Sequence, residues 1–233
     1  MRHLLNHSSG LPNPVPIRWV HVSTEEGPDP DVFLNYLLTK HGTLKSSPGQ
    51  KASYSNIGYL ALGKIVAASS GMPYKDYVVS KVLKPIGMQQ TDFYYTADML
   101  EKAATGYQKR LSAMALLWPL LRMPRGVLGR RAGDYIAFNR FYLNGSAYGG
   151  LIGSVRDAAR LVQVHVNGGI IGGVRIISRE SVAMMQRISS QGKALDVGYG
   201  WFRMHSSLEQ IHCLQQIGGG AGADHDFTLR RPS

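Results

Sequence analysis

Residues 48–71 read Pro-Gly-Gln-Lys-Ala-Ser-Tyr-Ser-Asn-Ile-Gly-Tyr-Leu-Ala-Leu-Gly-Lys-Ile-Val-Ala-Ala-Ser-Ser-Gly. The stretch opens on the turn residues Ser46-Ser47-Pro48-Gly49 and passes through Tyr54-Ser55-Asn56. From Ile57 to Ser70, Leu60, Leu62, Ile65, Val66 and Ala67 recur at helical spacing and predict a mostly buried helix. Gly71 stands where helices turn into the left-handed conformation and stop. A helix entered through a Tyr-x-Asn turn is therefore the first element that the sequence defines.

Working outward, residues 8–30 are rich in Ser, Gly and Pro and read as a loop. Asp29-Pro30 gives a helix cap with a first-turn proline; Phe33, Leu34, Leu37 and Leu38 form one face, and Gly42 ends that helix. Pro73 opens a short helix expected to run through Val82 and to stop at Lys84-Pro85-Ile86-Gly87-Met88. Ser154-Val155-Arg156-Asp157 resembles a capping box, predicting a helix whose inner face is Ala158, Leu161, Val162 and His165 and which closes at Asn167-Gly168-Gly169. Ser178 caps a further helix with Val182, Met185 and Ile188. The period then changes. Tyr199–Met204, Ile211–Gln215 and Phe227–Arg230 are short, β-prone and bounded by turn residues. Helices early and strands late argue for an α+β fold over a regularly alternating parallel sheet.

With 233 residues and 44% hydrophobic content the chain can bury a core, either as a single domain, residues 1–233, or as two interleaved subdomains. Cys213 is the one cysteine, so no internal disulfide forms and the compartment stays open. The formal charge of +11 is concentrated. Between Lys109 and Arg140 there are seven basic residues and a single acid, Asp134. No nucleic-acid motif accompanies this excess, and a nucleic-acid partner is not expected. The longest apolar run, Leu111–Leu121, is too short to span a bilayer alone. The eight histidines show no paired metal-ligand spacing, and Asp224-His225-Asp226 reads as a solvated turn. The glycine-rich run at 218–222 has no Lys-Ser/Thr and no following helix, which excludes a phosphate loop. No Gly-x-Ser-x-Gly elbow exists either.

Several segments, in order, resemble the β-lactamase and penicillin-binding-protein superfamily of serine hydrolases, in its esterase-like branch. Tyr54-Ser55-Asn56 with its helix resembles the family's Tyr-x-Asn motif. Arg2–Leu11, which contains His7-Ser8-Ser9-Gly10-Leu11, is similar to its His-x-Ser-Gly turn, where the histidine is structural. Val82–Met88 followed by Thr91-Asp92-Phe93, and Gly149–Ile152 running on to Asp157–Arg160, resemble two further family segments. The resemblance implies a β-lactamase/DD-peptidase-like fold, an antiparallel sheet flanked by helices with an all-helical subdomain. It implies acyl transfer to serine and then to water on a small-molecule ester or amide, with no metal or organic cofactor. Tyr54 would take the nucleophile's proton, and Asn56 would hydrogen-bond the catalytic lysine and the substrate. A phenol of ordinary pKa near 10 accepts a proton at neutral pH only where cations lower it. Taken outside the matched string, Tyr54 and Asn56 would read as turn-shaping and helix-capping residues.

In the family a Ser-x-x-Lys motif precedes the segment matched by Arg2–Leu11, so the chain is expected to begin downstream of its nucleophile. The one Ser-x-x-Lys present, Ser190-Gln191-Gly192-Lys193, follows Tyr54 and carries a helix-breaking Gly192. The family's third motif, a cation followed by x-Gly on the strand lining the cleft, is matched by Gln216 with Gly218 and Gly219. Gln216 keeps hydrogen bonding without charge and points toward neutral esters; the alternative is a glycine-rich turn between strands. A non-catalytic ligand-binding homologue of the same fold is the alternative function. The basic apolar insert at 108–131 reads either as a lid over the cleft or as a peripheral membrane contact, its apolar run at a lipid interface and its cations on anionic lipid.

Overall fold

A computed structural model describes residues 1–112, 124–193 and 195–204. The chain begins with a one-turn helix α1 (Arg2–Leu5) and a short strand β1 (Val20–Val22), then enters helix α2 (Pro30–His41). Asp29 caps α2 by accepting from the backbone N–H groups of Asp31 and Val32, both at 2.9 Å. Phe33, Leu34 and Leu37 bury its inner face. Helix α3 (Asn56–Ser70) is capped by the Ser55 hydroxyl, which accepts from the Gly58 N–H at 3.2 Å, and it ends at Gly71 in the left-handed region, φ 68°. Both predicted helices thus stand, with the cap at Asp29 and the stop at Gly71 that the sequence assigns them; the cap at Ser55, between Tyr54 and Asn56, comes from the structure.

These two helices make the first core. Trp19, Phe33, Leu34, Leu37, Ile57 and Leu60 pack together, with Trp19 edge-on to Phe33 and Tyr148 at 5.6 Å. The turn at Ser146–Tyr148 lies directly on α3, and a Cβ at Gly63 would sit 2.3 Å from the Ala147 Cβ. Gly63 is thus required for that approach. Side chains larger than hydrogen there would push the turn off the helix.

The segment opened by Pro73 runs past Val82 and stops within the expected stretch Lys84–Met88, at Gly87. Helix α4 (Tyr74–Val78) passes through a π turn (Val79–Leu83) into α5 (Lys84–Ile86), and the left-handed Gly87, φ 78°, ends it. Pro85 does not stop the helix because the wider turn before it absorbs the missing N–H. Leu83 and Ile86 anchor the second core with Met88 and Val164. Val164 lies on the helix Val155–Val166, whose N-cap Ser154 accepts from the Asp157 N–H at 3.2 Å. Its inner face is rotated from the expected one: Ala158 is exposed, Leu161 is half-buried, and Asp157, Val164 and His165 are buried. Asp157 causes the rotation. Its carboxylate accepts from the Gln90 N–H at 2.8 Å and the Thr91 hydroxyl at 2.9 Å, drawing that side of the helix onto the strand Thr91–Asp92.

The strands are short and every pairing among the described residues is antiparallel. They are more evenly distributed along the chain than the sequence implied. Strand β1 pairs with Phe141–Leu143, and a three-stranded sheet is built from Tyr107–Lys109, Tyr135–Phe138 and Leu128–Ala132, with Tyr135–Phe138 in the middle. The two ends of the basic insert, Gln108–Lys109 and Leu128–Arg131, are therefore strands of one sheet. A second three-stranded sheet runs Ser190–Gln191, Leu195–Val197, Phe202–Met204. The predicted strand Tyr199–Met204 is thus shorter, with Gly200 at φ 78° in the turn before it. The expected strands Ile211–Gln215 and Phe227–Arg230, the third-motif residues Gln216, Gly218 and Gly219, and residues 113–123 of the insert lie outside the described residues.

Candidate active site

Tyr54 and Asn56 flank the residue that caps α3, and the chain around that cap is fixed on three sides. The Ser55 N–H donates to His7 Nδ1 at 3.1 Å, and its hydroxyl donates to the Pro12 carbonyl at 3.1 Å while accepting from Gly58. The Asn56 N–H donates to Asn13 Oδ1 at 3.1 Å. Ser55 is 1% exposed with both hydrogen-bonding capacities of its hydroxyl engaged, so it is a structural cap and not a substitute nucleophile. Asn56, the first residue of α3, is itself buried.

His7 is the hub of the site. It is 2% exposed and the sole described non-glycine residue in the left-handed region, φ 52°. Such a backbone persists only where its surroundings hold it. Here the His7 carbonyl accepts from the Ser53 N–H at 2.7 Å while the ring accepts from Ser55. The ring then contacts three aromatics: Tyr54 at 4.4 Å, Tyr59 stacked at 4.7 Å, and Phe202 stacked at 5.5 Å. Tyr54 also faces Phe202 at 6.1 Å. Tyr59 sits on α3 beyond Tyr54 and anchors it to the first turn by donating to the Leu5 carbonyl at 3.0 Å. The His-x-Ser-Gly turn resembled in the sequence is thus clasped against the Tyr-x-Asn turn by one imidazole. Tyr59 and Phe202 belong to this clasp; no motif spacing marked them.

Burial sets the electrostatics. It lowers the His7 pKa to about 4, so at neutral pH the ring is uncharged with Nδ1 as acceptor. It raises the Tyr54 phenol above its ordinary value. Tyr59 is pushed up to about 12 by burial first and then by the phenolates of Tyr54 and Tyr74. Tyr148 rises for the same first reason and feels Tyr54 as well. Tyr54 is therefore a protonated phenol here, a hydrogen-bond donor, and among the described residues no cation offsets its burial.

The Ser-x-x-Lys string does not build a helix. Ser190 and Gln191 lie in a strand opposite Val197 and Asp196, and the Ser190 hydroxyl donates to the Asn6 carbonyl. Gln191 accepts from the Ala52 N–H at 2.8 Å, which places this hairpin beside the approach to Tyr54. Serine and lysine in this string are not one helical turn apart, the geometry a lysine-activated serine uses. No group of His, Cys, Asp and Glu among the described residues is arranged to hold a metal ion.

A family model described as Beta-lactamase matches residues 1–226. A penicillin-binding protein of Bacillus subtilis (strain 168) is 26% identical over 243 residues, covering 98% of this chain and 50% of that protein. The Mycobacterium tuberculosis protein Rv1367c is 33% identical over 187 residues, covering 78% of this chain and 42% of that one. The chain thus spans half or less of the length of these relatives. Among solved structures, the octameric penicillin-binding protein homologue from Pyrococcus abyssi matches with TM-score 0.61 and 25% identity over 86% of this chain and 42% of that one. The D-amino acid amidase from Ochrobactrum anthropi SV3 complexed with L-phenylalanine amide matches in fold with TM-score 0.67 at 20% identity, over 93% of this chain and 57% of that one. A β-lactamase/DD-peptidase-like α+β fold and a family match over nearly all of the sequence agree, and the chain belongs to the β-lactamase family of serine hydrolases.

Proposed function

We propose that Tyr54 and Asn56 form the Tyr-x-Asn half of an acyl-transfer site that hydrolyses small-molecule carboxylic esters or amides through a serine acyl-enzyme. The observation that carries this reading is the rigid setting of the pair, with Ser55 fully bonded between them and the Tyr54 ring held against His7 and Phe202. Such a frame costs little reorganisation when a nucleophile is presented to it.

Burial alone holds the Tyr54 phenol in its protonated form, opposite to what a proton acceptor needs. An ammonium group about 4 Å away contributes about 4 kcal/mol at an effective dielectric near 20, or about 3 pKa units. That acts against the burial and draws the phenol down, toward the range in which it can accept a proton. The lysine of a helical Ser-x-x-Lys motif is therefore the required partner, and the serine one turn before it is the nucleophile. Ser190 and Lys193 do not supply this pair, because they lie in a hairpin. Asn56 would hydrogen-bond that lysine and the substrate. Gln216, Gly218 and Gly219 would line the substrate side, with Gln216 favouring neutral esters over carboxylate-bearing substrates. The names of similar proteins, a penicillin-binding protein and a D-amino acid amidase, are compatible with amide substrates as well.

The raised phenol also fits a second reading, a ligand-binding homologue that keeps the cleft without the chemistry. Joining a Ser-x-x-Lys helix from a relative upstream of Met1 separates the two. The hydrolase reading predicts that the 233-residue chain neither turns over a short-chain chromogenic ester nor is labelled by a serine-reactive probe, and that the joined protein does both. Ligand binding by a folded joined protein without turnover would favour the second reading.

A further inference from the structure

The first N–H groups of a helix have no partner inside it and must find acceptors elsewhere. At the start of α3 the Ser55 N–H bonds His7 Nδ1, the Gly58 N–H bonds the Ser55 hydroxyl, and the Asn56 N–H bonds Asn13 Oδ1 at 3.1 Å. His7 and Ser55 belong to the two turns that resemble family motifs. Asn13 lies outside both.

The loop that carries Asn13 is built to hold still. Asn13 stands between Pro12 and Pro14, and a residue before proline is confined to extended backbone. The Pro12 carbonyl accepts from the Ser55 hydroxyl at 3.1 Å. Two consecutive residues of the loop thus grip two consecutive residues of the turn, Pro12 on Ser55 and Asn13 on Asn56.

The side chains on either side of Ser55 are left open. Among the described residues neither the Tyr54 hydroxyl nor the Asn56 carboxamide has a hydrogen-bond partner, and neither is sealed from solvent. Asn56 is 7% exposed, and a carboxamide so deeply set is ordinarily bonded. With no anchor of its own, this carboxamide takes its direction from the Asn56 main chain. The helix fixes that main chain on one side, and the Asn13 carboxamide fixes it on the other.

We infer that Asn13 is a positioning residue for the acyl-transfer site, acting through Asn56; the role rests on Tyr54 and Asn56 forming that site. Asn13 holds the first N–H of α3 so that the Asn56 carboxamide stays free and aimed at the catalytic lysine and the substrate. Removing the acceptor lets the first turn of α3 shift, and a misplacement of about 1 Å in such a site costs on the order of 100-fold in rate.

Two measurements test this. In the 233-residue chain, hydrogen exchange of the Asn56 amide is followed by NMR for the parent, Asn13→Ala and Asn13→Asp. Alanine removes the acceptor and should speed exchange on the order of 10-fold. Aspartate keeps an Oδ acceptor, is favoured at a helix N-terminus, and should restore protection. Lys40 and Lys45 line the same cavity as Asn13 and offset the added charge. In the protein joined to a Ser-x-x-Lys helix, Asn13→Ala should lower kcat on a chromogenic ester by about 10- to 100-fold, and Asn13→Asp should restore most of it. Rates are taken on protein shown by circular dichroism to be folded. A residue that only stabilised the fold would shift the melting temperature and leave kcat of the folded enzyme alone. Unchanged exchange at Asn56, a kcat within a few-fold of the parent in Asn13→Ala, or a loss that aspartate does not restore would overturn the inference. A joined protein without turnover while Asn13 is intact would overturn the acyl-transfer reading and this role with it, and faster exchange in Asn13→Ala would tell that failure from failure of the Asn13 bond.

Discussion

Acidification should destabilise this protein through His7. The ring is 2% exposed and burial lowers its pKa from 6.5 to about 4. Above pH 6.5 both the folded and the unfolded chain carry it neutral, and the full stability is present. Below that value the unfolded chain takes up a proton that the folded chain refuses, so stability falls with pH until the pH passes through about 4. At about 1.4 kcal/mol per unit the loss comes to roughly 3 kcal/mol, a large share of the 5 to 15 kcal/mol typical of a domain. Protonation would also break the Ser55 N–H to Nδ1 bond that joins the two turns. Urea denaturation followed by circular dichroism at pH 7, 5.5 and 4.5 measures this. Carboxylates titrate in the same range, so the readout is the difference from His7→Asn, which accepts the left-handed backbone and carries no titrating group. The parent should lose about 2 to 3 kcal/mol more than the variant between pH 7 and 4.5. Parallel pH profiles, within about 0.5 kcal/mol, would show that His7 is not held neutral by the fold.

Two further substitutions test the packing that positions the site. Gly63→Ala places a methyl 2.3 Å from the Ala147 Cβ and should cost about 1 to 3 kcal/mol in the same denaturation assay; a change under about 0.5 kcal/mol would mean that the turn at Ser146–Tyr148 yields freely. Asp157→Ala leaves the Gln90 N–H and the Thr91 hydroxyl without their acceptor and should destabilise by about 1 to 3 kcal/mol, whereas an Asp157→Asn variant that is equally damaged would point to the charge and not the acceptor.

The sequence was most legible where structure is decided locally. Asp29-Pro30 and Gly71 mark their helix ends because caps and left-handed stops act within one turn. Helix continuation through Pro85 and the rotated face around Asp157 were not legible, since a π turn and a buried carboxylate bonded 66 residues away decide them. The strands between Tyr107 and Leu143 escaped for a related reason. Leu128–Ala132 has no alternating pattern, and Val20–Val22 finds its partner more than a hundred residues later. Within the site, the positions of Tyr54 and Asn56 at the entry to α3 followed from a contiguous motif. The clasp by His7, Tyr59 and Phe202 did not, because ring stacking between distant segments leaves no spacing to read.

The most direct test of the acyl-transfer account is the acylation rate of the protein joined to a Ser-x-x-Lys helix, measured by stopped-flow release of a chromogenic alcohol, with Tyr54 intact and as Tyr54→Phe. Phenylalanine keeps the ring contacts with His7 and Phe202 and removes only the hydroxyl. Loss of a proton acceptor lowers rates by about 10² to 10⁴, and that is the fall expected in the acylation step with the fold unchanged. An acylation rate within a few-fold of the parent would make Tyr54 a packing residue and contradict the account.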